Sequence, residues 1–284
     1  MLKHILLISL FVAPLSHVSA SAFRVSADEL NKMVAEDKVV VLDARKKDDY
    51  DVGHVKNAIS FPVGLTFLNK EVNGKIQRPQ IMQKYLQERG LNLGSKIVIY
   101  DSGEIVKAAR VFWTLEVYGF TNVKILDRGY KSWIDKNYST SQDSPKRERS
   151  SYIATINHKR LASKFTTQLA IHNKNKVLVD ARSVLAYLGK VSVARRFGHI
   201  PNAINVPFEG NINKNSEFVG LKSTKELKSL YGDIPVDKKV IIYCKIGMVS
   251  STNYFALREL GYDVANYDAS WREWGNDLTL PIEK

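Results

Sequence analysis

The chain's single cysteine, Cys244, stands in the run Tyr243-Cys244-Lys245-Ile246-Gly247-Met248-Val249-Ser250-Ser251. A β-branched run from Val240 to Tyr243 precedes it, and Ser250 to Leu260, stopped by Gly261, has the pattern of a helix. A loop between a strand end and a helix start turns successive amide N–H groups inward as an anion-binding nest. The helix dipole adds about half a positive charge there. A thiol in such a cradle, beside Lys245, favours its thiolate and is a competent nucleophile. Gly247 allows the positive φ that a curled loop needs. The same run also fits an inert cysteine buried at a strand end, and local sequence alone leaves both open. One cysteine in 284 residues excludes an intramolecular disulfide and a zinc site built from several thiolates.

The elements that must position this loop occur twice. Val41-Leu42-Asp43-Ala44-Arg45 returns as Leu178-Val179-Asp180-Ala181-Arg182, and Gly53-His54-Val55-Lys56-Asn57-Ala58-Ile59 as Gly198-His199-Ile200-Pro201-Asn202-Ala203-Ile204. Ile97–Tyr100 returns as Val240–Tyr243, Tyr118-Gly119-Phe120 as Leu260-Gly261-Tyr262, and Asp127–Trp133 as Asp268–Trp274. The order is kept at a spacing of about 140 residues, so the chain is a duplicated domain. Each copy alternates short apolar strands (Val39–Leu42, Ile97–Tyr100, Val123–Leu126; Val177–Val179, Val240–Tyr243, Val264–Tyr267) with helical stretches. Ser26 and Glu29 have capping-box spacing ahead of one of them. This alternation predicts an α/β fold, a mostly parallel sheet in each copy flanked by helices on both faces.

Domain boundaries follow. Residues 23–138 form the first domain and 153–284 the second. The polar stretch 139–152 reads as a linker whose basic residues are solvated. Residues 1–20 have the three-part pattern of a secretory signal peptide: Lys3, an apolar core from Ile5 to Leu15, and the small-residue ending Val18-Ser19-Ala20. That core falls well short of the roughly 20 residues that span a bilayer. The expectation is an exported, periplasmic protein with no membrane attachment after cleavage. Lys and Arg number 42 against 29 Asp and Glu, a net charge of +13, which suits anionic partners. The basic residues lack the aromatic interleaving of single-strand binders, so nucleic acid is not expected. No Walker loop, dinucleotide glycine pattern or metal-ligand cluster is present, and no cofactor is expected.

Taken together, the Asp-Ala-Arg strand ends, Gly198-His199-Ile200-Pro201-Asn202-Ala203, the Cys244 loop and Tyr267-Asp268-Ala269-Ser270-Trp271-Arg272-Glu273-Trp274 resemble the rhodanese (thiosulfate sulfurtransferase) family in its tandem two-domain form, from about Arg24 to Gly275. The resemblance implies two tandem rhodanese-like domains. It also implies that Cys244 takes a sulfane sulfur from thiosulfate as a persulfide and passes it to a thiophilic acceptor such as cyanide. The amides of Lys245, Ile246, Gly247, Met248, Val249 and Ser250 would then hold the persulfide and the incoming sulfur anion, and Lys245 would supply charge for a dianionic donor. The first copy has Asp101 where the second has Cys244, in Tyr100-Asp101-Ser102-Gly103-Glu104. A carboxylate cannot carry sulfane sulfur, so that copy is expected to be inactive and to wall an interdomain cleft.

Two departures from the family stand out. Asn202 occupies a turn position where Gly is frequent. The stretch Ser183-Val184-Leu185-Ala186-Tyr187 lacks the family's substrate arginine, for which Arg195 and Arg196 are the nearest replacements. His54 and His199 recur in both copies, including the one without a thiol, which argues for structural roles. Asp43 with Arg45 and Asp180 with Arg182 read as structural ion pairs, with Arg182 near enough to the active loop to serve as a substrate-binding residue. Ser250 and Ser251 offer hydroxyls to the site or N-caps to the helix. Trp271 and Trp274 read as core or interface aromatics. Three rival functions remain. The donor is 3-mercaptopyruvate, although enzymes of that type tend toward a small neutral loop after the cysteine; the chain is a non-enzymatic persulfide carrier; or it is a cysteine phosphatase, which needs an arginine where Ser250 stands.

Overall fold

The two series of β-branched runs form two five-stranded parallel sheets of the same topology. The structure, a computed structural model, describes residues 23–214 and 219–284; the signal-peptide reading of residues 1–20 lies outside them. In the first domain the strands are β1 (Arg24–Val25), β2 (Val40–Asp43), β3 (Ile59–Ser60), β4 (Ile97–Tyr100) and β5 (Val123–Leu126), in spatial order β1-β5-β4-β2-β3. In the second they are β6 (Leu161–Ala162), β7 (Lys176–Asp180), β8 (Ala203–Asn205), β9 (Lys239–Tyr243) and β10 (Val264–Tyr267), in order β6-β10-β9-β7-β8. The registers match as well, Asp43 lying opposite Tyr100 and Asp180 opposite Tyr243. Both faces of each sheet are covered, so the central strands are apolar throughout rather than alternating.

Each strand end is braced in the same way. Arg45 Nε and Nη2 grip Asp43 at 3.0 and 2.6 Å, and Arg182 grips Asp180 at 3.0 and 2.5 Å. The arginines then reach the carbonyls of Gly53 and Gly198. His54 stacks on Tyr50 and His199 on Tyr187, each with Nδ1 on that tyrosine's carbonyl at 2.9 Å. Asn57 and Asn202 both adopt left-handed φ, 64° and 62°. The turn therefore demands a residue that tolerates this region, and Asn serves where glycine is frequent.

The domains share one apolar core. The Val106–Val117 helix of the first packs against the Ser250–Glu259 helix of the second, with Phe112 edge-on to Phe255 at 4.9 Å. Glu116 accepts hydrogen bonds from Arg258 at 2.9 Å and Tyr254 at 2.5 Å across the junction. The 139–152 segment is a bound strap rather than a loose tether. Thr140–Ser141 pairs with His54–Val55, Ser150 donates to the Leu91 carbonyl, and the Tyr152 hydroxyl donates to the Tyr118 carbonyl. Among its basic residues Arg149, though exposed, donates to the Gln87 side chain at 2.7 Å. Low apolar content hid this attachment, which is made by backbone pairing and polar side chains.

Candidate active site

Cys244 follows the last residue of β9 and is buried. The loop behind it is fixed from three directions. Ser270, at φ 55° and fully buried, accepts the amides of Cys244 at 3.0 Å and Gly247 at 3.1 Å through its hydroxyl oxygen and donates to the Tyr267 carbonyl. The Trp271 amide caps the Cys244 carbonyl. The Gly247 carbonyl is drawn away by three donors, Arg110 Nη1 at 2.9 Å, Ser251 Oγ at 2.9 Å and Asn266 Nδ2 at 3.2 Å. Gly247 itself has φ +70°, and a Cβ there would sit 2.7 Å from Asp268 backbone and 2.8 Å from Arg110 Nη1. Only glycine fits.

With its carbonyls so occupied, the loop keeps donors to spare. The amides of Lys245, Ile246, Met248, Val249 and Ser250 have no hydrogen-bond acceptor among the described residues. The first copy shows what such a loop does when filled. Asp101, also buried, accepts Gly103 and Ile105 on Oδ1 at 2.9 and 3.1 Å, and Lys107 and Ala108 on Oδ2 at 3.0 and 3.2 Å. Four amides converge on one carboxylate, and Ile105 is held at φ 64° to allow it. The first loop thus carries its own anion, whereas the second begins with a thiol and leaves the amides that follow it without acceptors among the described residues.

The first domain also reaches into the second. Arg110 lies in the middle of the Val106–Val117 helix, fully buried. No carboxylate makes an ion pair with it among the described residues. Its guanidinium meets the carbonyls of Gly247 and Gly74, the Thr66 hydroxyl, and the ring faces of Phe67 at 4.2 Å and Trp113 at 4.4 Å. Burial pushes it down to about 10, against the attraction of Asp268 and Cys244, which lie within electrostatic reach. Asp268 accepts the amides of Ile76 at 2.5 Å and Ala269 at 2.7 Å; burial pushes its carboxyl up, opposed by Arg110 and those amides. Gly74 presses on Ile246 so closely that a Cβ would lie 2.4 Å from the Ile246 carbonyl oxygen.

The residues expected from sequence separate into groups. Lys245 is exposed and lines a cleft of about 90 Å³ with Arg182, Ala186, Val191, Ser192 and Val193. Arg182 is there, but its Nε and Nη2 are committed to Asp180 and Gly198, as Arg45 is in the copy without a thiol. Met248 faces an interdomain cleft of about 610 Å³, walled by Ser102, Glu104 and Lys107 of the first copy and Phe208 and Ile212 of the second. Two expectations need correction. The Ser250 hydroxyl is buried and donates to Asn266 Oδ1 at 2.9 Å, so Ser250 offers the site its amide and not its side chain. Arg196 is no anion ligand, because it binds the carbonyls of Trp274, Gly275, Asp277 and Leu280 and clamps the C-terminal tail. Arg195 is exposed and tied in only through its backbone, to Asn276. Trp271 and Trp274 are core residues.

Sequence reasoning missed Arg110, Asp268 and Ser270 as parts of the site. Arg110 had a signal, a charge in the middle of the otherwise apolar Ala108-Ala109-Arg110-Val111-Phe112-Trp113. Among the described residues, no group of three or more His, Cys, Asp or Glu could hold a metal ion.

Comparison with known proteins agrees with this geometry. The rhodanese-like domain model matches twice, over residues 26–136 and 166–277. A Saccharopolyspora erythraea protein named "Putative thiosulfate sulfurtransferase" is 34% identical over 250 residues, covering 82% of this chain and 86% of its own. The Mycobacterium bovis "Putative thiosulfate sulfurtransferase 1" is 35% identical over 273 residues, covering 91% and 96%. Among solved structures, SseA from Escherichia coli, described with the rhodanese fold and mechanism of 3-mercaptopyruvate sulfotransferases, superposes with TM-score 0.76 at 26% identity, covering 88% of this chain and 98% of that one. EanB in complex with ergothioneine, at 22% identity and TM-score 0.81, shares the fold over 92% of this chain and 69% of its own. With two matched domains and a shared sheet topology, the chain belongs to the rhodanese family, as a tandem member.

Proposed function

We propose that the protein is a sulfurtransferase in which Cys244 carries sulfane sulfur and thiosulfate is the donor. The observation that carries this is the contrast between the two loops, one filled by Asp101 and the other starting with the chain's only cysteine and followed by five amides without acceptors among the described residues. The relatives named for thiosulfate sulfurtransferase and the SseA neighbour support the reaction class. In the first half-reaction the Cys244 thiolate attacks the outer sulfur of thiosulfate. A new S–S bond forms, the old one breaks, and its electron pair leaves on sulfite. In the second, cyanide or another thiophile takes the outer sulfur, and the electron pair returns to Cys244 Sγ as thiolate. The loop amides stabilise the persulfide anion between the two steps.

The exposed Lys245 ammonium at the mouth of a cleft of only about 90 Å³ suits a small dianion. The SseA likeness makes 3-mercaptopyruvate the competing donor. Steady-state rates with each donor and cyanide decide between them. A larger kcat/KM for thiosulfate is expected; a much larger value for 3-mercaptopyruvate overturns the choice of donor while leaving the sulfur transfer intact. The leader-like start belongs to the same proposal, which makes the enzyme periplasmic. N-terminal sequencing of protein from a periplasmic fraction should begin near Ser21, and retention of Met1 in the cytoplasm would contradict it.

A further inference from the structure

Residues 184–197, which line the Lys245 cleft through Val191 and Val193, carry the densest run of exposed apolar side chains among the described residues. Val184, Leu185, Leu188, Val191, Val193 and Phe197 each keep 41–57% of their surface in water. They form one patch. The Val191 amide donates to the Leu185 carbonyl, and Gly189 lies against the backbone of Phe197 and Gly198. Val191 and Val193 wall the cleft itself, beside Lys245. Soluble proteins rarely gather so much apolar surface in one place without a use for it.

The patch also has a sign. Residues 181–208 contain no Asp or Glu; Arg182 is spent on Asp180, but Lys190 and Arg195 are exposed, Arg196 meets only carbonyls, and Lys245 stands next to them. The carboxylates that border the segment are engaged: Asp277 with Lys164 at 2.7 Å, Glu283 with His199 and the Asn202 amide. An apolar collar with a positive fringe, set at the entrance to the nucleophile loop, is complementary to an acidic, apolar polypeptide surface.

We infer that the 184–197 segment docks an acceptor protein, one that presents a thiol on an acidic, leucine-like loop or chain end. The inference rests on the Cys244 persulfide proposed above. In the transfer, the partner's thiolate attacks the outer sulfur of the protonated persulfide. The Sγ–S bond breaks, its electron pair stays on Cys244 Sγ as thiolate, and the partner leaves as a persulfide. No outside oxidant or reductant is needed.

The test uses the full mature chain, loaded with thiosulfate and freed of excess donor. Discharge is followed by loss of the roughly 32 Da adduct on mixing with the peptides Glu-Asp-Leu-Cys-Leu-Asp-Glu and Lys-Lys-Leu-Cys-Leu-Lys-Lys, with free cysteine, and with cyanide. The acidic peptide is expected to discharge Cys244 about tenfold faster than the basic peptide or cysteine. The doubly substituted Val184→Asp/Leu185→Asp protein is expected to lose that preference and discharge to cyanide at the parent rate. Equal rates for all three thiols, with cyanide discharge intact, overturn the docking surface and leave the sulfur transfer standing. A failure to form the adduct overturns both. Co-sedimentation with phosphatidylglycerol vesicles that depends on Val184 and Leu185, without peptide discrimination, assigns the patch to a membrane instead.

Discussion

Replacing Arg110 with Met separates an electrostatic role from a structural one. The guanidinium is fully buried and donates three hydrogen bonds, at 2.9, 3.2 and 3.3 Å. Bonds from a charged donor contribute about 1.5–3 kcal/mol each, and the two longer ones fall at the low end. Against that sum stands the cost of keeping the group charged. Burial lowers it to about 10, from an ordinary value above about 12, a penalty of roughly 3 kcal/mol. Met fills much of the same volume without that penalty, and the Gly247 carbonyl keeps Ser251 and Asn266 as donors. The net loss of stability is therefore modest, about 2 kcal/mol. The effect on chemistry should be larger, because Arg110 Nη1 holds the Gly247 carbonyl of the nucleophile loop and its buried charge lies within electrostatic reach of the sulfur anion formed during transfer. Alkylation of Cys244 by iodoacetamide at neutral pH, and kcat/KM for thiosulfate, should each fall about tenfold or more. The variant should still unfold cooperatively in urea. Arg110→Lys, which keeps the charge, should recover most of the alkylation rate. If Arg110→Met alkylates and turns over within twofold of the parent, Arg110 only packs the interface and the electrostatic account is refuted.

Other expectations concern the two nests and the buried phenols. Gly247→Ala must hold a side chain at φ +70° and within 2.7 Å of Asp268; a loss of at least about 2 kcal/mol and a collapse of kcat are expected in urea melts and rate assays, and parent-like values would show that the loop relaxes freely. Asp101→Asn turns a carboxamide NH2, itself a donor, toward backbone N–H groups that had a carboxylate oxygen as acceptor. It should cost about 2–4 kcal/mol in a denaturant titration, and an unchanged midpoint would contradict the self-filled nest. Burial pushes Tyr100, Tyr118, Tyr231, Tyr243, Tyr254 and Tyr267 upward, and Tyr152 to about 12. Above pH 10 or so the unfolded chain releases phenolic protons that the folded one keeps. Stability then falls with rising pH, by up to about 1.4 kcal/mol per pH unit for each tyrosine. Arg110, which loses its proton first in the folded state, opposes the trend as one group against seven. Phenolate absorbance should therefore rise mainly together with alkaline unfolding. Smooth titration of all tyrosines in the folded protein would contradict it.

Much of this was legible in the sequence because duplication repeats a signal. β-Branched runs such as Ile97–Tyr100 and Val240–Tyr243 mark buried parallel strands, and the recurrence of Asp-Ala-Arg and Gly-His fixes their common frame. The edge strands β1, β3, β6 and β8 were not legible: they have two or three residues, too few for any period to show. The thiol and its loop were readable because chemistry concentrated in contiguous residues. Arg110, Gly74 and Ile76 were not, since they come from the other domain, and only tertiary packing brings them to Gly247, Ile246 and Asp268. Arg196 misled for the converse reason. Neighbourhood in sequence suggested an anion site, whereas Arg196 is needed to satisfy carbonyls at the C-terminal tail.

The central claim is that Cys244 alone, in an unfilled amide nest, accepts sulfane sulfur. Mixing the reduced protein with thiosulfate and no acceptor tests it most directly, by counting sulfite released and weighing the protein. The account predicts one sulfite per chain and a mass gain of roughly 32 Da, both abolished by Cys244→Ser and the adduct removed by cyanide. Release of sulfite by Cys244→Ser, or no adduct on a thiol shown to be reduced, would contradict it.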